Sequence, residues 1–236
     1  MNLLKIKNFI LDLLFPIRCP GCGVILESKS DAATKLICQS CLESVDINSG
    51  FFCPVCLKRL PSTKICHPGS YSLAAATSYK DSVIKNALWY FKYQSVQGLK
   101  KELGSLMIRY LKTLDIKNLE SYILAPMPLH PKKQRQRGFN QADLLAEVIA
   151  GVFHLPIVHP LIKTRYTESQ TKTKNWEGRK ENMKDSFRIV PEANICGKNI
   201  LLVDDVFTSG ATMNEAIAVL KEGGAKKVIG LVLAKG

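Results

Sequence analysis

Residues 199–212 read, in order, as an apolar strand, two adjacent carboxylates, a turn of small hydroxyl-bearing residues and the start of an amphipathic helix. No other stretch constrains the fold as strongly. The strand runs from Asn199 to Val203 into Asp204 and Asp205, and the turn is Thr208-Ser-Gly-Ala-Thr212. From Thr212 to Leu220 a helix places Met213, Ala216, Ile217 and Leu220 inward, and Gly223 and Gly224 end it. Acids at the carboxyl end of such a strand stand where α/β sheets bind ligands. Neighbouring carboxylates are suited to accept both hydroxyls of a ribose cis-diol. The turn can aim backbone N–H groups and the hydroxyls of Thr208, Ser209 and Thr212 at one anion, in the positive field of the helix start. Gly210 permits a positive φ and a close approach of backbone to phosphate. A lone aspartate would be read as a helix cap, but these features coincide within the twelve residues Leu201–Thr212 and are read as a ligand site.

The same alternation extends upstream. Tyr71 to Tyr79 reads as a strand, Asp81 to Tyr93 as a helix buried through Val83, Ile84, Ala87, Leu88 and Phe91, and Leu99 to Leu114 as another helix. Tyr122 to Ala125 is a strand stopped by Pro126 and Pro128, and Asn140 starts a helix with Leu144, Leu145, Val148 and Ile149 on one face. Ile157 and Val158 suggest a further strand, and Val228 to Ala234 closes the chain as one. The expected class is α/β, a parallel sheet with helices on both faces, plus a small cysteine-rich module. At 236 residues there is room for one α/β domain and a satellite, so residues 1–70 are assigned to the module and 71–236 to the sheet domain.

Seven of the eight cysteines lie between Cys19 and Cys66. Cys19-Pro-Gly-Cys22 and Cys38-Gln-Ser-Cys41 have the spacing of a tetrahedral four-thiolate zinc site. Cys53-Pro-Val-Cys56 begins a second, whose return half offers only Cys66 and His67. Adjacent ligands are awkward on one tetrahedron, so this site uses His67, exchanges a ligand with the first, or is degenerate. Zinc is expected to be structural, since so small a piece gains its folding energy from metal. Cys196 is read as an incidental thiol, and His130, His154 and His159 are assigned no metal. Trp89 is read as core, and Trp176 is left open.

Met1 to Phe15 reads as an amphipathic lead-in helix. Asp12 interrupts its apolar run, no small-residue cleavage site follows, and it is too short to span a bilayer. Reduced thiols and a cytoplasmic address follow, with no transmembrane segment expected. The formal net charge of +13 favours polyanions, and residues 71–236 hold most of the excess.

The segment Leu201–Thr212 resembles the phosphoribosyl-diphosphate motif of type I phosphoribosyltransferases. The resemblance implies that Asp204 and Asp205 hold the ribose hydroxyls. Thr208, Ser209, Gly210, Ala211 and Thr212 would wrap the 5′-phosphate, and Mg²⁺ would arrive on the diphosphate. Between strand and helix upstream, Lys132, Lys133, Arg135 and Arg137 can supply donors for a diphosphate, with Asn140 capping the helix behind them. Arg165, Gln170, Arg179, Asn182 and Phe187 punctuate a polar basic stretch read as a flap over the site.

With the cysteine pairs, the order Phe91-Lys-Tyr93, Pro126-x-Pro128, Arg137-Gly-Phe-Asn-Gln141, Gln170, Arg179-x-x-Asn182 and Leu202-Val-Asp-Asp205 is similar to the ComF family. That likeness runs from Leu14-Phe-Pro16 to the last strand, departing at Thr173, where many members have Leu. It implies a phosphoribosyl-diphosphate-binding domain serving DNA uptake, with single-stranded DNA and the DNA-uptake machinery proteins as partners. The alternative is an active phosphoribosyltransferase passing phosphoribose to an unidentified acceptor in nucleotide metabolism.

Overall fold

A computed structural model describes residues 16–26, 35–63, 65–166 and 186–236. Its main sheet has six strands, β1 (Phe51–Phe52), β2 (Arg59–Leu60), β3 (Ser72–Ser78), β4 (Tyr122–Pro126), β7 (Asn199–Phe207) and β8 (Lys227–Lys235), in the order β2-β1-β3-β8-β7-β4. The four strands from β3 to β4 are parallel, and β1 and β2 add an antiparallel hairpin at one edge. The remaining strands, β5 (Leu161–Lys163) and β6 (Phe187–Ile189), form a separate antiparallel hairpin.

Both faces of the parallel strands are covered, which explains their unbroken apolar runs. Leu201 and Val203 of β7, and Ile229, Leu231 and Leu233 of β8, join a cluster with helices α2 (Ser82–Tyr93), α3 (Lys100–Thr113) and α5 (Gln141–Phe153). Their alternates Ile200, Leu202, Val228 and Val232 join Met213, Ala216, Ile217 and Leu220 of α6 (Ala211–Glu222), together with Leu161 and Phe187 of the small hairpin. The period-2 alternation of a strand makes this division. Helices α3 and α5 meet closely at Gly104, where a Cβ would stand 2.6 Å from a Val148 methyl.

The cysteine-rich segment shares this core. Its short helix α1 (Gln39–Ser44) is flanked by Ile37 and Val45, which with Phe51 are buried in the same cluster as α2 and α3. The Leu36 N–H donates to Glu102 on α3 at 2.7 Å, the Asn86 amide on α2 donates to the Pro20 carbonyl at 3.0 Å, and the Asn48 N–H donates to the Ala76 carbonyl of β3 at 2.8 Å. Buried Tyr110 accepts from the Ala75 N–H at 3.2 Å and donates to the Gly50 carbonyl.

Four local features differ from the expectations above. Strand β7 continues to Phe207, so both acids lie within it. Ile157 makes one parallel bridge to Leu124 and no strand. The basic stretch placed between strand and helix is itself a short helix, α4 (Pro131–Arg137), with Pro131 in its first turn and Gly138 at φ 81° ending it. Leu161–Lys163 and Phe187–Ile189 pair around the flap stretch, and runs of three residues are too short for periodicity to reveal. The lead-in helix and the flap positions Gln170, Thr173, Trp176, Arg179 and Asn182 lie outside the described residues.

Candidate functional site

A pocket of about 440 Å³ opens at the carboxyl ends of β4 and β7. Asp204, Asp205, Thr208, Ser209, Gly210, Ala211 and Thr212 all line it, facing Lys133, Arg137, Asn140 and Gln141 from α4 and α5, Lys92 from α2 and Lys163 from β5. Lys132 and Arg135 are not among the lining residues; Lys132 instead places its ammonium 4.8 Å from the Tyr166 ring centroid.

Gly210 takes φ 77°, and a Cβ there would come within 2.6 Å of the Phe207 ring. Its left-handed conformation turns the chain from strand into α6, so the pocket ends at the start of that helix. The Ser209 hydroxyl and the Gln141 amide nitrogen are buried without a hydrogen-bond partner among the described residues. Leaving such groups unpaired costs about 1–3 kcal/mol each, so both are poised for an incoming acceptor. Arg137 donates to the Gln141 Oε1 at 2.7 Å, which holds both side chains on the pocket wall. Asn140 caps α5 as expected, accepting from the Ala142 N–H at 3.2 Å, and its amide donates to the Met127 carbonyl at 3.0 Å.

The carboxylates have different surroundings. Asp205, 7% exposed, pairs with Lys92 at 2.8 Å. Burial alone would lower the Lys92 ammonium, but the Asp205 carboxylate overrides it and holds the lysine above its usual range. Asp204 accepts the Asp205 N–H at 2.8 Å. Burial, then the Asp205 charge, push its carboxyl up to about 7. Burial also lowers Lys163 to about 8, with Lys133 acting in the same sense. Lys92, Lys163 and Gln141 were assigned no role from residue pattern alone. Lys92 and Lys163 reach the pocket from distant segments, and only the family motif pointed to Lys92 and Gln141.

The Asp204 shift has a consequence for stability. Between about 4 and 7 the folded protein keeps a proton that the unfolded chain has released, so this carboxyl's contribution to stability falls as pH rises through that window and is constant above it. Asp204→Asn mimics the protonated acid. The variant should match the parent near pH 4 and exceed it at pH 8 by about 1–3 kcal/mol, short of the full shift because the pocket is open to water. Denaturant melts at the two pH values check this, and a constant difference between them counts against it.

Two clusters occupy the cysteine-rich segment. The four sulfurs of Cys19, Cys22, Cys38 and Cys41 lie within 4.8 Å of one another, and so do the ligand atoms of Cys53, Cys56, Cys66 and His67. Tetrahedral thiolates on zinc stand about 3.8 Å apart. Cys22 and Cys38 are 3.7 Å apart, Cys56 and Cys66 3.8 Å, and Cys53 Sγ lies 3.2 Å from His67 Nδ1. Both donor sets therefore fit a structural zinc, and the adjacent pair Cys66-His67 sits in one cluster. All eight thiols are free of disulfides, and Cys196 is exposed. His159 pairs with Asp143 at 3.1 Å. Trp89 is not core but 49% exposed, because it falls off the stripe Ile84, Ala87, Leu88, Phe91 that buries α2.

The family described as phosphoribosyl transferase domain matches residues 138–236, and that described as double zinc ribbon domain matches residues 10–68. Competence protein F of Haemophilus influenzae is 26% identical over 218 residues, covering 81% of this chain and 93% of that protein. Competence protein ComFC of Streptococcus pneumoniae is 28% identical over 228 residues, 90% of this chain and 97% of its own length. Among solved structures, the allosteric regulatory enzyme of purine biosynthesis is 20% identical, covering 58% of this chain and 26% of that one, with a TM-score of 0.39.

Proposed function

Given that the chain belongs to the ComF family, joining a double zinc ribbon to a type I phosphoribosyltransferase-like domain, we propose that it binds 5-phosphoribosyl diphosphate with Mg²⁺ and serves DNA uptake by handling single-stranded DNA. One observation carries the ligand reading: two carboxylates and a hydroxyl-rich turn, with a buried Ser209 hydroxyl that has no partner among the described residues, share a pocket walled by lysines and arginine. In this reading Asp204 and Asp205 accept the ribose hydroxyls, and residues 208–212 receive the 5′-phosphate. Lys133, Arg137 and the Gln141 amide lie on the wall where a diphosphate would sit. Bound Mg²⁺ would offset the charge of the diphosphate it arrives on. Lys92 pairs with Asp205 and would release it as the ribose hydroxyl arrives. Arg179, from the flap, would add a donor over the diphosphate.

Zinc is proposed at both clusters, two atoms per chain. Among the described residues no helix is long and apolar enough to cross a membrane. Free thiols at both clusters fit the proposed cytoplasmic address. The net charge of +13 supports the nucleic-acid reading.

Calorimetry tests both ligands. Phosphoribosyl diphosphate should titrate saturably with Mg²⁺ and much more weakly without it. Single-stranded DNA affinity should fall at least tenfold between about 50 and 200 mM salt as counterions are released. A flat salt response removes the nucleic-acid reading, and an absent phosphoribosyl-diphosphate isotherm removes the ligand.

A further inference from the structure

Helix α2 exposes a row of rings. Trp89, Tyr90 and Tyr93 are 49%, 40% and 55% exposed, although the opposite face of the helix is packed. The Trp89 and Tyr93 centroids are 6.3 Å apart, and the Arg137 guanidinium lies 5.8 Å from the Tyr93 centroid. From Arg137, helix α4 leads back to Tyr166, whose ring is flanked by Lys132 at 4.8 Å, Lys133 at 5.8 Å and His130 at 5.3 Å. Trp89, Tyr93, Arg137 and Lys133 also line the pocket, so the strip of rings and cations passes its opening.

Rings left in water beside cations match a polyanion that carries flat apolar groups at intervals, which is the chemistry of an unpaired nucleic-acid strand. A duplex keeps its bases stacked inside and cannot use them. We infer that the strip from Trp89 and Tyr93 through Arg137 to Tyr166 is a stacking track for single-stranded nucleic acid. Bases lie on Trp89, Tyr93 and Tyr166, and phosphates meet Arg137, Lys132 and Lys133. This rests on the proposed handling of single-stranded DNA and names the residues that touch it. Because Arg137 and Lys133 belong to both track and pocket, strand and phosphoribosyl diphosphate should weaken one another's binding by the same factor.

Trp176→Phe leaves Trp89 as the sole tryptophan, since the chain has two. Titrating that variant with a thymidine oligonucleotide should quench Trp89 emission saturably, and a duplex should not. Trp89→Ala with Tyr93→Ala, and separately Tyr166→Ala, should each weaken oligonucleotide binding about tenfold or more at fixed salt. Zinc content and circular dichroism confirm that these variants are folded, and the quenching does not depend on them. A strand that binds without changing Trp89 emission overturns the track while leaving DNA handling in place. Failure to bind any strand removes both. Binding by unquenched parent and alanine variants alike would turn this face over to a protein partner.

Discussion

Replacing Asp204 and Asp205 together by asparagine is expected to abolish measurable phosphoribosyl-diphosphate binding and to leave the protein folded. At a pH above the Asp204 value of about 7, two ribose hydroxyls lose charged acceptors, each worth about 1.5–3 kcal/mol. The combined loss weakens binding on the order of a hundredfold or more. The fold should survive because both acids line the pocket at the end of β7, beyond the buried run Ile200–Val203. Asparagine at 204 also keeps the oxygen that accepts the Asp205 N–H. Lys92 loses its partner at 205 and becomes a free cation at the pocket, so single-stranded DNA affinity should hold or rise. Calorimetry with both ligands on one folded variant reads the outcome. Unchanged phosphoribosyl-diphosphate affinity would remove the site assignment.

The second large effect is expected from the metal. Cys38→Ser with Cys41→Ser should release zinc from the first cluster and destabilise the whole chain, because the cluster anchors parts of the main core. Buried Cys19 and Ile37 pack in one cluster with α2 and α3, and a Cβ on Gly21 would already stand 2.7 Å from the Cys41 sulfur. With the ligands gone, the N–H of Leu36 loses its fixed position on Glu102 and the core is opened at one edge. Apparent zinc binding energies of about 10–16 kcal/mol in small zinc-dependent modules exceed the stability of most domains. Metal analysis and thermal melting of parent and variant, with and without chelator, decide it. A zinc-free protein that melts like the parent would show that the thiols do not hold the fold through a metal.

What was legible in the sequence was local. The run from Asn199 to Thr212 announces strand, acids, turn and helix because each depends on neighbours within a few residues: apolar burial, a glycine at φ 77° and an amphipathic stripe. Cysteine spacing announces the metal clusters for the same reason, since a Cys-x-x-Cys pair closes on one ion through local geometry. The ComF likeness added order along the chain. Short-range pattern could not say that Lys92 pairs with Asp205 or that Lys163 faces the pocket, because the fold brings these residues together from distant segments. Residue order left open whether the second site uses His67, exchanges a ligand or is degenerate, and the structure brings Cys66 and His67 into one cluster with Cys53 and Cys56. Trp89 looked like core by its chemistry, and the position of the α2 stripe against the sheet put it in water. Residue types and spacings thus determined which chemistry the chain carries, and the parallel sheet decided which of those groups meet. Such meetings depend on loop closure and packing over long separations, to which no local pattern is sensitive.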